Sequence, residues 1–422
     1  MRKISLKRNF VLTLIGNFAY GFAQWGMLMV IAKLGTPEMV GRFALGLAVT
    51  APVMMFSQLN LRAVLATDAS GKYRFGEYLS LRLAMMAAAL AFIVVSSFVA
   101  GYDREFAAIA FVIGLAKAFE AVSDLFFGLM QQHERMELIA QSLIVKGTLS
   151  LALFAAGMLA TRSLLWSSVL LMVSWLLTLA FDVWNAGRAL GPSGDRAVAL
   201  ADFLPVWAFP RLKTLARLSL PLGFASLLIS LLVNIPRYFV GGMLGERELG
   251  IFAAMAYAMV VGARVVTALG ESAVPRLAKL HQAGDAAGYR SLLLKTVAFG
   301  ALIGLGGVGV AAFLGRPILT LLYKPEYAER IDVFVWLMFG AGLGYVSLFL
   351  QYGLMAAQQF VVQPVVMTAA AAVLSVACLV LVPARGLSGA AMAVAASAAT
   401  QIVLNAWFTL KAVRALASES RS

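Results

Sequence analysis

Charged side chains that could do chemistry share one face of an apolar stretch near residue 120. Lys117, Glu120 and Asp124 are spaced i, i+3 and i+7, and Gln131 continues the series. In a helix this spacing places all four side chains on one narrow face. A Lys117–Glu120 ion pair could serve packing alone, whereas a buried carboxylate without a base can carry a proton or cation. The spacing favours Glu120 as the partner of Lys117 and Asp124 as the ion carrier, and both carboxylates are coupling-ion candidates. Lys117 is also a substrate-binding candidate that could line a cationic cavity.

A second polar face lies about 140 residues further along the chain. Arg264, Thr267 and Glu271 have the same spacing, and Tyr257 lies seven residues before Arg264. An arginine offers a planar fork of donors that matches phosphate oxygens. Arg264 and Tyr257 are therefore candidates for binding a phosphate-bearing substrate, and Glu271 is a third coupling-ion candidate.

The other substrate-binding candidates are more isolated. Asn17, Tyr20 and Gln24 recur at i, i+3 and i+7, where amides and a hydroxyl could bind sugars or only join helices. Lys146 is a basic residue inside an apolar stretch, and such residues usually face a cavity or a partner. Arg237 follows Pro236 near a predicted outer end, where it could gate a route or anchor the helix at the interface.

Motifs of the common catalytic and metal sites are missing from the sequence. It has no phosphate-binding P-loop, no G-x-S-x-G and no histidine–carboxylate zinc spacing. The only cysteine is Cys378, and the two histidines, His133 and His281, lie far apart. The sequence therefore predicts no enzyme, no cofactor and no metal site.

The elements that must position these residues are membrane-spanning helices. Of 422 residues 62% are hydrophobic and 13% charged, and the apolar residues form blocks long enough to cross a bilayer. These blocks are predicted to be helices, because in lipid the backbone must satisfy its own hydrogen bonds. The predicted spans are 10–32, 43–64, 79–100, 106–130, 138–160, 164–186, 216–240, 249–271, 291–314, 331–356, 363–383 and 387–410.

Basic residues outside these spans predict the orientation of the protein. With the N-terminus in the cytoplasm, 18 of them lie on the cytoplasmic side and 9 on the other. This bias predicts cytoplasmic termini, and it explains the net charge of +14 without nucleic-acid binding. Arg62, Arg82 and Lys295 lie near predicted cytoplasmic ends, where long basic side chains can snorkel to the interface. The Pro- and Gly-containing segment 188–215 is predicted to be a cytoplasmic linker between two bundles, 1–187 and 216–422.

The two halves share local patterns that predict a parallel six-plus-six repeat. "GLMQQ" begins at Gly128 near the end of span four, and "GLMAA" begins at Gly353 near the end of span ten. Ser150 and Ser375 follow these glycines at the same spacing. The expected fold is an all-α membrane protein of about twelve helices in two six-helix bundles.

Three longer stretches resemble a known family. They are "RFALGLAVTAPVMMFSQLNLRAVLATD", "FFGLMQQHERMEL" and "PILTLLYKPEYAERIDVFVWLMFG". They are similar to segments of Wzx-like polysaccharide flippases, in the polysaccharide-transport branch of the multidrug/oligosaccharidyl-lipid/polysaccharide exporter superfamily. The resemblance covers nearly the whole chain in order.

The resemblance implies two helix bundles around a central cavity and transport by alternating access. It implies that the substrate is an undecaprenyl-pyrophosphate-linked oligosaccharide, moved across the bacterial cytoplasmic membrane for O-antigen, lipopolysaccharide or exopolysaccharide assembly. Other polysaccharide-assembly membrane proteins would be further partners. In related lipid-II flippases the first helix carries cavity arginines, where this chain has Asn17, Tyr20 and Gln24; Arg264 stands where those relatives have a cavity arginine.

Two other functions remain open from the sequence. A cation-coupled multidrug exporter of the same superfamily would handle organic cations in an acidic cavity, whereas the intramembrane residues here are mixed to basic. A membrane polysaccharide polymerase or ligase would usually have a large external loop, whereas the longest predicted one, about 315–330, is short.

Overall fold

The computed structural model describes residues 6–68, 70–190 and 203–419, and this part of the chain is helical, without strands. Its thirteen helices are α1 Leu6–Leu34, α2 Pro37–Ser57, α3 Leu61–Thr67, α4 Phe75–Val99, α5 Arg104–Gln132, α6 Met136–Thr161, α7 Leu164–Leu190, α8 Phe209–Leu244, α9 Glu246–Gln282, α10 Ala286–Leu322, α11 Pro325–Ala328, α12 Ile331–Ala356 and α13 Val362–Glu419.

Eleven segments of the described chain are helical, long and apolar enough to cross a membrane. The last runs through most of α13, whose helical geometry is interrupted at Gly386. The two arms of α13 on either side of Gly386 bring the number of spans to twelve. The predicted fold class, an all-α membrane protein of about twelve helices, is confirmed.

The break in α13 follows from its local sequence. Pro383 removes a backbone donor inside the helix, and Gly386 adopts φ 59° and ψ −137°, a conformation that other residues avoid. A Cβ at Gly389 would lie 1.9 Å from the carbonyl oxygen of Leu381. Glycine at 389 therefore lets the second arm start close against the end of the first.

The predicted second span, 43–64, is two helices and begins earlier than expected. Thr36 caps α2 by accepting a 3.4 Å hydrogen bond from the Met39 amide, and Pro37 fits the first helical position. Leu59 and Asn60 then have φ of 50° and 47°. Two consecutive left-handed residues cannot continue a right-handed helix, so α3 is a separate short helix.

The chain divides into two compact units, Met1–Ser230 and Leu231–Ser422, with the boundary inside α8. Part of the predicted linker 188–215 lies outside the described residues; α7 ends at Leu190 and α8 begins at Phe209. The first turns of α8 belong with the first unit. There Arg211 Nε lies 2.6 Å from Glu77 Oε1, and Leu212 and Leu215 join its apolar core.

Each unit is organised around its fourth span. In the first unit α5 packs on α2, α4 and α7, and in the second unit α12 packs on α9, α10 and α13. The second and third spans also contact each other in both units. These contacts are what a parallel repeat predicts, whereas the extensive packing of α1 on α6 has no comparable counterpart between α8 and α13 in the described chain. In the second unit Gly304 and Gly342 let α10 and α12 approach closely, since a Cβ on Gly304 would lie 2.5 Å from the Gly342 Cα.

Candidate functional site

The charged residues predicted on one face of α5 lie inside the first unit, where they meet groups from five other helices. Lys117 Nζ is 2.8 Å from Glu120 Oε2, as the three-residue spacing predicts. Tyr20 of α1 donates a hydrogen bond to the other Glu120 oxygen. Lys117 Nζ also lies 4.8 Å from the ring centroid of Trp175 on α7. This first cluster is partly open, since the Lys117 and Glu120 side chains are 23% and 21% exposed.

A second cluster next to the first is closed to solvent. Lys146 Nζ on α6 donates a 3.1 Å hydrogen bond to Ser123 Oγ on α5, and Ser123 donates to Asp182 on α7. Lys146 is 1% exposed, and Ser123 and Asp182 are fully buried. Lys146 also acts electrostatically on Glu120. Buried charges are stable in such a place only when they are matched and hydrogen-bonded, so this cluster ties three helices together.

Sequence reasoning missed Asp182. It is the one carboxylate inside the predicted span 164–186, and an ionisable residue within a span marks a polar interior. Its neighbour Asn185 donates a 3.1 Å hydrogen bond to Ser142 on α6. Asp182 and Asn185 lie about one helical turn apart on α7, and both bind polar groups of neighbouring helices.

The third cluster contradicts the expectation that Asp124 lies without a basic partner. Arg62 Nη1 on α3 is 3.0 Å from Asp124 Oδ1, and Arg82 Nη2 on α4 is 3.9 Å from Oδ2. Arg62 Nε also donates a 3.2 Å hydrogen bond to Gln131. Spacing along α5 could not reveal these partners, because they come from other helices. Arg62 and Arg82 are therefore not merely snorkelling cations.

Within the described chain, Arg82 is a buried cation without hydrogen bonds from its guanidinium group. Its side chain is fully buried, and none of its guanidinium nitrogens has a hydrogen-bond partner among the described residues. The carboxylate of Asp124 is the nearest compensating charge. Asp124 thus neutralises one buried and one half-buried arginine together.

The loop after α3 is fixed by Asp68. Its carboxylate accepts backbone hydrogen bonds from Lys72 and Tyr73, at 3.0 and 3.1 Å, and side-chain hydrogen bonds from Ser70 and Tyr78. Burial acts to raise the pKa of the Asp68 carboxyl, but these hydrogen bonds outweigh it and hold the pKa below its usual value.

The other predicted residues of the first unit have different surroundings. Gln24 is half-buried, and its amide nitrogen has no hydrogen-bond partner among the described residues. Asn17 is half-buried on α1. The structure thus brings together Tyr20, Lys117, Glu120 and Lys146 of the predicted set.

The predicted residues of the second unit form a sparser group. Arg264 and Glu271 are exposed on α9, and no described carboxylate pairs with Arg264. Arg237 Nη1 on α8 donates a 3.1 Å hydrogen bond to Asn234. Tyr257 lies close enough to Arg237 and Arg264 to interact with both electrostatically. In the described chain no group of three or more His, Cys, Asp and Glu residues could hold a metal.

In the part of the chain that the structure describes, twelve spans and the charged clusters inside them define a multi-pass α-helical membrane protein. A family model described as "Polysaccharide biosynthesis protein" matches residues 6–281. The capsular polysaccharide biosynthesis protein CapF of Staphylococcus aureus is 30% identical over 334 residues, which are 79% of this chain and 81% of CapF. The chain belongs to the polysaccharide biosynthesis protein family, and the resemblance stated from its motifs is confirmed.

Solved structures share the fold along nearly the whole chain. The lipid II flippase MurJ, in an inward closed conformation, matches with a TM-score of 0.73 and 10% identity, covering 97% of this chain and 90% of MurJ. An inward-facing multidrug resistance MATE transporter of the MOP superfamily matches with a TM-score of 0.64 and 14% identity, covering 99% and 96%. At these identities the likeness concerns the fold alone.

Proposed function

We propose that this protein is a flippase for an undecaprenyl-pyrophosphate-linked oligosaccharide. It moves the lipid-linked sugar from the cytoplasmic to the outer leaflet of the bacterial cytoplasmic membrane by alternating access, and it catalyses no covalent step. Its family membership and its likeness to CapF support a role in surface-polysaccharide assembly. The fold that it shares with MurJ supports transport.

The observation that carries the proposal is the position of Arg264. It lies at the midpoint of α9, is exposed, and has no described carboxylate as an ion-pair partner. An arginine halfway along a span is costly in lipid, so such residues face a polar route. A guanidinium there would meet the pyrophosphate of the substrate with paired donors.

Each unit also has substrate-binding candidates of its own. Lys117 is partly exposed although it is paired with Glu120, so its ammonium group can still donate a hydrogen bond to a bound substrate. Tyr20 and Tyr257 are half-buried and can stack on or hydrogen-bond to sugars. The lipid tail needs no polar partner, since it can remain in the bilayer.

The test is complementation of a deletion strain with Arg264→Ala. We expect surface polysaccharide to fall at least about tenfold, because one lost charge-assisted contact costs about 1.5–3 kcal/mol, while membrane abundance stays normal. The matched control is Arg290→Ala, an exposed arginine of α10 outside the proposed site. Full export by Arg264→Ala would remove Arg264 from the site.

Analysis of the deletion strain itself separates the three functions. Loss of a flippase leaves complete lipid-linked repeat units on the cytoplasmic face. Loss of a polymerase or ligase leaves them on the outer face instead. Loss of a multidrug exporter leaves the polysaccharide intact and raises sensitivity to cationic drugs. Either of the last two results would overturn the proposal.

A further inference from the structure

The second unit contains a partly open cavity whose lining comes from that unit alone. It has a volume of about 350 Å³ and lies between α8, α9, α12 and both arms of α13. Ligand pockets in proteins start near this size. Most of the wall is aliphatic or aromatic, and the polar groups on it include Arg237, Gln351 and Gln401.

The cavity lining that the structure describes carries positive charge and no negative charge. Arg237 lines it, and no Asp or Glu is among its lining residues in the described chain. Among the described residues, the Arg237 guanidinium donates a hydrogen bond to the side chain of Asn234, which is neutral. The first unit is different, because its intramembrane lysines and arginines face Glu120, Asp124 and Asp182. A guanidinium in an apolar cavity favours an anionic partner, and here that partner can come from outside the protein.

The remaining lining indicates what kind of anion fits. Gln351 and Gln401 supply amide donors, while Leu232, Phe252 and Leu337 are examples of the apolar wall. A small inorganic anion would use the guanidinium and amides but leave this wall in contact with water. An anion attached to a hydrocarbon chain would satisfy both surfaces at once.

We infer that this cavity binds the phosphate end of an isoprenoid phosphate lipid. The phosphate lies against Arg237 with the two glutamines beside it, and the first isoprene units lie against the apolar wall. This inference rests on the proposed function, which supplies a substrate of that chemistry. It adds a lipid-phosphate site inside the second unit, separate from the exposed Arg264.

A glycine in the wall allows the cavity to be filled without disturbing its surroundings. Gly344 lines the cavity, and no atom lies within 4 Å of the place where its Cβ would be. Gly344→Leu should therefore occupy the space of the ligand. Gly309→Leu is the matched control, because a Cβ at Gly309 on α10 also meets no atom within 4 Å and Gly309 is not part of the lining.

The test uses the full-length protein in detergent and farnesyl diphosphate as the probe, measured by calorimetry. We expect binding that Arg237→Gln weakens at least about tenfold, that Gly344→Leu abolishes, and that Gly309→Leu and Arg290→Gln leave unchanged. Farnesol should bind much more weakly, since it lacks the phosphate, and inorganic pyrophosphate should compete poorly, since it lacks the chain. Farnesyl phosphate and dodecyl phosphate, which carry the same headgroup, separate the two lipid sources: weaker binding of dodecyl phosphate supports an isoprenoid site, and equal binding overturns it.

Two further results would contradict the inference. One is undiminished binding of farnesyl diphosphate by both Arg237→Gln and Gly344→Leu, each confirmed as folded by gel filtration. The other is competition by pyrophosphate as strong as by farnesyl diphosphate, which would make the cavity a simple anion site. Export in cells is measured separately: normal export by wild-type protein that does not bind the probe would reject this site and leave the proposed flippase function intact.

Discussion

Arg62 and Asp124 form an ion pair of 3.0 Å between α3 and α5, and the same carboxylate faces the fully buried Arg82 at 3.9 Å. One anion therefore compensates two cations. Arg62 is half-exposed and can be hydrated, but Arg82 cannot. Asp124 therefore stabilises the packing of α3, α4 and α5 in the first unit. Spacing along α5 instead favours an unpaired Asp124 that carries an ion.

We predict that Asp124→Asn lowers the amount of protein in the membrane and its melting temperature in detergent. Removing the anion leaves Arg82 buried without compensation, and breaking a buried ion pair costs on the order of 3 kcal/mol. Gel filtration and a thermal-stability assay measure the loss. An Asp124→Asn protein as stable as wild type, but with altered dependence of transport on pH or Na⁺, would restore the coupling role.

The control for that prediction is a double substitution. Arg82→Met removes the stranded cation and keeps most of its volume, and a whole ion pair replaced by apolar groups is often tolerated. Arg82→Met combined with Asp124→Asn should therefore be more stable than Asp124→Asn alone. Additive losses from the two substitutions would show that the residues do not interact.

A second prediction concerns Lys146. Lys146→Met should reduce membrane abundance, because it leaves the buried carboxylate of Asp182 with no nearby ammonium. Adding Asp182→Leu should recover much of the loss. Lys117→Met is the comparison, and it should cost less, because Lys117 and Glu120 are partly exposed and Glu120 keeps its hydrogen bond from Tyr20. Equal losses for Lys117→Met and Lys146→Met would contradict the difference in burial.

The spans and the local ion pair were predictable from the sequence, for different reasons. Long apolar runs indicate spans wherever they occur, and Lys117 and Glu120 are neighbours on any helix. The partners of Asp124 were not predictable, because which helices meet depends on tertiary packing. Asp182 could have been predicted to lie in a polar interior, since it is the one carboxylate in an apolar run. Its interaction with Lys146 could not, because Lys146 lies on another helix.

Backbone breaks show the same division between local and tertiary information. Pro383 and Gly386 signal the end of the first arm of α13, and the predicted boundary between 383 and 387 agrees with the structure. The break at Leu59 and Asn60 carries no proline or glycine, so the sequence gives little warning of it. The packing of α3 on α5, where a Cβ on Gly128 would lie 3.1 Å from the Arg62 carbonyl oxygen, helps to hold that break.

The orientation gives a third prediction, which single-cysteine labelling can check. The natural Cys378 is buried and should not react with a membrane-impermeant maleimide in intact cells. Ser193→Cys, in the predicted cytoplasmic linker, should be labelled only after the cells are permeabilised. Glu329→Cys, exposed before α12 in the predicted outer loop, should be labelled in intact cells. The reverse pattern would invert the predicted topology.

The last prediction concerns Asp68 and pH. Its hydrogen bonds to the loop hold its pKa below the usual value, so the ionised carboxylate stabilises the folded loop at neutral pH. That contribution is fully present above the pKa of an unfolded aspartate, about 3.9, and is lost as pH falls through the lower folded value. Asp68→Asn should lower the melting temperature in detergent at pH 7, because an amide oxygen is a weaker acceptor for the Lys72 and Tyr73 amides. The difference from wild type should shrink as the pH is lowered below about 4, and a difference that stays constant across this range would show that ionisation of Asp68 contributes nothing.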